Sequence, residues 1–141
     1  MREIKSIVIH CSDSEWGGVA DIDRWHKERG WDGCGYHFVI TNGVTKAHDD
    51  YKPEADGLIQ NGRDVEKPGA HVRGHNKYSV GICLIGKHNF TGKQMYDSLL
   101  TLVRMLMVSY SVPAEQVYGH TMLDEHKTCP NFDVALLRAV L

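Results

Sequence analysis

Short apolar runs mark the places where the chain is expected to form buried strands. Residues 4–11 are rich in Ile and Val, and residues 79–85 read Ser-Val-Gly-Ile-Cys-Leu-Ile. Continuous apolar runs of this length are typical of strands that are covered on both faces of a sheet. Residues 116–119 predict a third, shorter strand near the C-terminus.

The first helix is expected over residues 19–29. In this stretch Ile22, Trp25 and His26 recur at helical spacing and share one face, which predicts that this face packs on the sheet. Gly30 follows directly and favours the end of a helix, because glycine readily adopts the left-handed conformation found there.

A longer helix is expected over residues 91–110, and a short final helix over residues 132–140. Thr91 and Gln94 have the spacing of a capping box, in which each side chain binds the backbone N–H of the other residue. Pro113 breaks the pattern. The buried stripe of the longer helix is predicted to consist of Met95, Leu99, Leu102, Val103 and Leu106.

A β-hairpin is predicted around Asn42-Gly43, between strands at residues 36–40 and 44–47. This dipeptide favours the positive φ angles of a tight two-residue turn. Residues 48–69 are polar and contain several Gly and Pro residues, so we expect a long loop there with at most one helical turn. Long loops in compact domains are often functional.

Strands that alternate with helices predict an α/β fold. We expect a mixed central sheet of about five strands with helices on both faces. The length of 141 residues predicts a single domain, residues 1–141, with one core.

Composition narrows the classes of function. Hydrophobic residues make up 42% of the chain, charged residues 24%, and the net charge is −2. A nearly neutral chain does not predict binding to nucleic acid. Neither a secretion signal nor an apolar run long enough for a membrane span is found, which predicts a protein made in the cytoplasm without membrane insertion.

Histidine and cysteine supply the candidate chemistry. The chain has 9 histidines and 4 cysteines. Cys11, Cys34 and Cys83 are expected to be reduced core residues, since no CxxC pair is present. Cys129 has polar neighbours. Two imidazoles, from His10 and His120, and the Cys129 thiolate would make a nitrogen and sulfur donor set that suits zinc, and three protein ligands leave one tetrahedral position open for catalysis. No spacing rule shows that residue 10 meets residue 120.

The sequence resembles the zinc-dependent N-acetylmuramoyl-L-alanine amidases, the family that includes small phage lysozymes and peptidoglycan recognition proteins. The matching stretches follow in order along nearly the whole chain. They are Ile-Val-Ile-His10-Cys-Ser, Asp23-Arg-Trp25-His26-Lys-Glu-Arg-Gly-Trp31, Gly35-Tyr36-His37-Phe38-Val39-Ile40, Gly69-Ala70-His71, Asn76, Ser79-Val-Gly81-Ile-Cys-Leu-Ile-Gly86, Gly119-His120 and Lys127-Thr-Cys129-Pro130.

The resemblance implies that His10, His120 and Cys129 bind one zinc ion. It also implies that Tyr36 and Lys127 lie near the metal and stabilise the negative charge that develops on the scissile carbonyl. The segment between His120 and Cys129 offers Glu125 and His126 as rival polar groups to Lys127.

Three further residues are candidates for substrate contacts. His71 resembles a groove residue that contacts the peptide or the lactyl group, and Asn76 and Arg63 are weaker candidates. His37 should point away from Tyr36 if the strand is regular, and it is therefore left out of the site.

The resemblance implies hydrolysis of the amide bond between N-acetylmuramic acid and L-alanine in peptidoglycan, by a monomer that acts on the cell wall after release or delivery. Two alternatives stay open: a module that binds peptidoglycan without cutting it, and a phage lysozyme that also regulates a polymerase. An endolysin, a delivered toxin and a recycling enzyme are equally compatible settings.

Overall fold

A five-stranded mixed sheet forms the centre of the fold in the computed structural model, which describes all 141 residues. The strand order is β3-β2-β4-β1-β5, and only the β2–β3 pair is antiparallel. The sheet therefore confirms the predicted fold class. The strands are β1 (Ser6–Cys11), β2 (Phe38–Asn42), β3 (Asp56–Asn61), β4 (Ser79–Leu84) and β5 (Val117–Gly119).

The helices lie on both faces of this sheet. They are α1 (Val19–Glu28), a π-helix (Lys93–Leu99) that continues directly into α2 (Leu100–Tyr110), α3 (His120–Leu123) and α4 (Val134–Arg138). Single 3-10 turns precede β3 and β5, at Pro53–Ala55 and Ala114–Gln116. None of the helices combines the length and apolar character that crossing a membrane requires.

The two faces of the sheet carry apolar clusters of different size. On one face, 15 buried residues from the strands, from α2 and from α4 form the main cluster. On the other face a smaller cluster of 5 buried residues packs under α1, with Ile22 as the buried apolar residue of that helix. Since β-strand side chains alternate between faces, Ile7 and Ile9 join the main cluster while His10 faces the smaller one.

The predicted start of the long helix is confirmed. The backbone N–H of Gln94 donates to Thr91 Oγ1 at 3.1 Å, and the N–H of Thr91 donates to Gln94 Oε1 at 3.0 Å. The Gln94 amide is buried and donates to the carbonyl groups of Ile40 and Ile85, which anchors the helix to β2 and to the residue that follows β4. The final helix is shorter than predicted and begins after Asp133, whose carboxylate accepts a hydrogen bond from the Ala135 N–H.

The predicted hairpin is wrong in its second strand. Gly43 has the expected positive φ of +89°, but residues 44–47 form no strand. The antiparallel partner of β2 is β3, which lies within the stretch predicted to be a loop. The chain between Gly43 and β3 forms a loop, and the Tyr51 hydroxyl closes this loop by donating a hydrogen bond to the Asp56 carboxylate at 2.6 Å. β3 is a partly exposed edge strand, so it lacks the apolar pattern that reveals buried strands.

Strand register brings distant parts of the chain to one edge of the sheet. β1 pairs in parallel with β5, and Ile9 lies opposite Gly119. The next residue of each strand is a histidine, His10 or His120, so both rings emerge side by side where the two strands end.

Candidate metal centre and active site

Three potential metal ligands meet at the carboxyl ends of β1 and β5. One donor atom each from His10, His120 and Cys129 lies within 4.8 Å of the other two. His10 Nδ1 and His120 Nδ1 are 3.1 Å apart. Because parallel strands bring their carboxyl ends to one edge, residues more than a hundred positions apart in the sequence become neighbours.

Cys129 reaches this edge on the turn that follows α3. The backbone N–H of Thr121 donates to the Cys129 carbonyl at 2.8 Å, which closes the turn. The Cys129 Sγ accepts a hydrogen bond at 3.0 Å from the backbone N–H of Cys11, the residue that follows His10 in β1. The thiol is therefore held against the strand that carries His10.

The donor set and its spacing fit zinc. Two nitrogens bound tetrahedrally to one zinc ion at about 2.0–2.1 Å lie roughly 3.3 Å apart, close to the observed 3.1 Å between the imidazole nitrogens. Two imidazoles and a thiolate are borderline and soft ligands, which zinc prefers over the hard oxygen donors that suit magnesium or calcium.

Burial keeps the site histidines neutral at neutral pH. Burial and the neighbouring His71 and His120 rings hold the pKa of His10 well below its usual value of 6.5. Burial, followed by the charge of Lys127, also lowers the pKa of His120. A neutral imidazole can offer a lone pair to a metal, so no proton has to leave either ring before binding.

The Cys129 thiol behaves in the opposite way. Hydrogen bonding with the Cys11 thiol, together with burial, raises the pKa of Cys129 above its usual value of 9.0. In the metal-free protein the thiol is therefore protonated at neutral pH. A metal ion that binds as a thiolate complex must displace that proton, so metal affinity should rise with pH.

Tyr36 lies two residues before β2 and close to His10. Its ring centroid lies 5.0 Å from that of His10. Burial raises the pKa of the phenol well above its usual value of 10.0, so the hydroxyl stays a hydrogen-bond donor at neutral pH. The backbone before Tyr36 packs closely against Ala70, and this contact requires Gly35, because a Cβ at that position would lie 2.1 Å from the Ala70 carbonyl oxygen.

A cavity of about 870 Å³ opens above the ligand cluster. Tyr36, His71, Asn76 and Lys127 line it together with His120 and Cys129. Among the rival polar groups near Lys127, the exposed His126 also lines the cavity, whereas Glu125 does not.

His71 and Asn76 belong to one loop at the side of this cavity. Asn76 Oδ1 accepts hydrogen bonds from the backbone N–H groups of His71 and Val72, both at 2.9 Å. The His71 ring is only 8% exposed. Asn76 therefore shapes the loop, and His71 is buried behind the ligand cluster.

Arg63 lies elsewhere. Its guanidinium donates to the carbonyl groups of Cys34 and Pro68 and forms an ion pair with Asp32 at 2.7 Å. It lines a second cavity of about 410 Å³, which does not contain the ligand cluster. His37 also lies outside the larger cavity; its Nδ1 accepts from the Gly81 N–H.

The comparisons with known proteins agree with this geometry. The profile of the family described as N-acetylmuramoyl-L-alanine amidase matches residues 1–132. The chain belongs to the N-acetylmuramoyl-L-alanine amidase family. Among its relatives, the endolysin of Klebsiella phage KP32 is 35% identical over 94% of this chain and 84% of that protein. The endolysin of Escherichia phage T7 is also 35% identical, over 92% of this chain and 82% of its own length.

Solved structures of similar proteins have the same fold. The N-acetylmuramoyl-L-alanine amidase LysC from Clostridium intestinale URNW superposes with a TM-score of 0.80 at 30% identity, covering 99% of this chain and 85% of LysC. Drosophila PGRP-LB superposes with a TM-score of 0.70 at 27% identity, covering 92% and 76% of the two chains. The family and the fold inferred from the ordered sequence motifs are thus confirmed.

Several cavity residues of this amidase-family chain were not predicted. His26 lines the cavity, and its Nδ1 accepts a hydrogen bond from the Gly35 N–H at 2.9 Å, beside Tyr36. Trp31 packs on His26 with ring centroids 4.5 Å apart. Arg29 and Arg73 add positive charge to the rim. Helical spacing placed His26 on the packed face of α1, but nothing local in the sequence revealed that this face ends at the cavity.

Proposed function

We propose that this chain uses one zinc ion to hydrolyse the amide bond between the lactyl group of N-acetylmuramic acid and L-alanine in peptidoglycan. The observation that carries the proposal is the convergence of His10, His120 and Cys129 within 4.8 Å beneath an open cavity. Membership of the amidase family and similarity to phage endolysins support the same reaction.

His10, His120 and Cys129 would hold the metal. When bound, a zinc ion with three protein ligands supplies hydroxide at neutral pH and polarises the scissile carbonyl. The chain contributes neutral imidazoles, which need no deprotonation. It also contributes a thiol fixed by the Cys11 N–H.

Tyr36 and Lys127 are proposed to stabilise negative charge on the carbonyl oxygen of the substrate. Tyr36 lines the cavity with a phenol that stays protonated at neutral pH and has the Cys83 thiol as a neighbour, so its hydroxyl can donate a hydrogen bond to substrate. Lys127 is an exposed residue of the same cavity, near enough to His120 for its charge to lower the pKa of that imidazole, and it adds a positive charge to the cavity. A donor and a cation aimed at the developing oxyanion lower the barrier to attack on an amide.

The size of the cavity suits a muropeptide. At about 870 Å³ it is large enough for several residues of a sugar and peptide chain. A related structure, Drosophila PGRP-LB Y78F in complex with tracheal cytotoxin, superposes with a TM-score of 0.72 at 27% identity. This supports a muropeptide as the ligand. The proposed enzyme is a single catalytic domain that acts as a monomer on the cell wall.

The test is digestion of purified peptidoglycan by zinc-loaded protein, followed by mass analysis of the soluble products. We expect free stem peptides that begin with L-alanine, loss of their release after chelation, and recovery after zinc is restored. Products that keep muramic acid attached to the peptide would contradict the proposal, because they require cleavage of a different bond.

Cys129→Ser separates catalysis from wall binding. We expect it to abolish peptide release, since a hydroxyl is a poor zinc ligand, while sedimentation with peptidoglycan is retained. Cys34→Ala is the matched control, because this buried thiol lies outside the ligand set and should leave release intact. If wild-type protein sediments with peptidoglycan but releases no peptide, the chain is a binding module instead.

A further inference from the structure

The His71 ring stands directly behind a proposed metal ligand. His71 Nδ1 lies 2.8 Å from His10 Nε2, and the two rings are nearly perpendicular at 88°. On the far side, His71 Nε2 lies 3.2 Å from Ser79 Oγ. Both ring nitrogens of His71 are therefore occupied by protein groups, and neither is free to bind a peptide.

Two glycines make room for this ring. A Cβ at Gly81 would lie 2.6 Å from the His71 ring, and a Cβ at Gly69 would lie 2.5 Å from it. Any larger residue at either position would displace the imidazole. The backbone N–H of His71 is in turn fixed by Asn76 Oδ1 at 2.9 Å. The ring is thus confined between a strand and its own loop.

The hydrogen bond of the Ser79 hydroxyl determines which nitrogens of His71 and His10 carry a proton. The Ser79 hydroxyl donates to the His75 carbonyl at 2.7 Å, so its oxygen accepts from a proton on His71 Nε2. His71 Nδ1 then carries a lone pair and accepts from a proton on His10 Nε2. With its proton on Nε2, His10 presents the Nδ1 lone pair on the side where His120 Nδ1 lies.

We infer that His71 and Ser79 are positioning residues that fix the tautomer and ring orientation of His10 for metal binding. This inference rests on the proposed zinc site and gives His71 a role other than the substrate contact expected from the sequence. Histidine ligands commonly donate their second N–H to such an outer partner, and loss of that partner typically lowers metal affinity by about 10–100-fold.

The test compares substitutions at position 71 that differ in hydrogen bonding. His71→Asn places an amide oxygen near the position of Nδ1 and keeps an acceptor for His10. His71→Leu keeps similar bulk and removes the acceptor. Zinc affinity is measured by competition with a chromophoric chelator, and the fold of each metal-free variant is checked by circular dichroism and thermal unfolding.

We expect His71→Leu to weaken zinc binding by about 10–100-fold and His71→Asn to stay within about threefold of wild type. Ser79→Ala should weaken binding less than His71→Leu, because it frees the His71 tautomer without removing the acceptor. His88→Ala is the control for incidental zinc binding, since this exposed histidine lies outside the cavity.

A spectroscopic measurement separates positioning from folding. Long-range proton–nitrogen correlation spectra of the zinc-loaded protein should show His10 protonated at Nε2 in wild type and in His71→Asn. A folded His71→Leu protein with wild-type zinc affinity would overturn the inference, as would His10 protonated at Nδ1 in wild type. If wild type itself binds no zinc, the proposed metal site fails instead.

Discussion

The two faces of the sheet use the same strands for different purposes. The face under α2 and α4 buries 15 apolar residues and contains no candidate ligand. The face under α1 buries only 5 apolar residues and carries the buried rings of His10, His26, His37 and His71. Apolar burial is the main source of folding free energy, so we expect stability to depend on the first face and chemistry on the second.

The largest effect is expected from His120→Ala. Removing a proposed zinc ligand should lower peptide release at least about 100-fold, more than loss of an outer partner would. Because His120 is only partly buried, unfolding of the metal-free protein in urea should change little. If His120→Ala also lowered the free energy of unfolding of the metal-free protein substantially, the division of stability and chemistry between the two faces would be contradicted.

Leu102→Ala is the matching change on the other face. Leu102 is buried in the main cluster, and truncation of a buried leucine costs about 3 kcal/mol of unfolding free energy. The zinc affinity of the folded fraction should not change. The exposed Leu136 is the control, since Leu136→Ala removes the same atoms from a side chain that is 71% exposed and should cost less than about 0.5 kcal/mol.

Tyr36→Phe tests whether the cavity face acts beyond metal binding. Loss of one hydrogen-bond donor to an oxyanion typically lowers kcat about 100-fold, equivalent to about 2.7 kcal/mol. Zinc affinity, measured by chelator competition, should equal that of wild type because the phenol is not a ligand. Weakened zinc binding in this variant would show that Tyr36 supports the metal rather than the reaction.

Acid should destabilise the metal-free protein through the histidine face. Burial lowers the pKa of His71 to about 3 and of His37 to about 4, below the unfolded value of 6.5. At pH values between the folded and unfolded pKa, the unfolded chain binds more protons than the folded protein. The stabilisation is therefore complete above pH 6.5 and is lost as the pH falls below that value. At pH 5 each of these two histidines should lower the free energy of unfolding by about 2 kcal/mol relative to its value above pH 6.5.

Urea unfolding at pH 7.5 and pH 5 in the presence of chelator measures this effect. The 15 buried residues of the main cluster under α2 and α4 are all apolar and contribute no titrating group to it. Equal unfolding free energies at the two pH values would mean that the buried histidines are not neutral in the folded protein.

Sequence periodicity predicted the strongly apolar elements well. β1, β4, α1 and the long helix formed by the π-helix and α2 together all lie within a few residues of their expected positions, and the Thr91–Gln94 capping box forms as predicted. β3 was missed because an edge strand held by backbone pairing needs no apolar alternation. His26 was likewise predicted only in part: helical spacing placed it on the packed face of α1, but did not predict that it lines the cavity.

The amino-acid sequence by itself determined the fold class, the family and the chemical type of the candidate ligands, because periodicity, motif order and donor atoms are properties of the chain. Only the tertiary structure decided that His10, His120 and Cys129 meet, since their proximity depends on the pairing of β1 with β5. It also decided that His71 faces His10 rather than open solvent, because that contact needs Gly81 on the neighbouring strand.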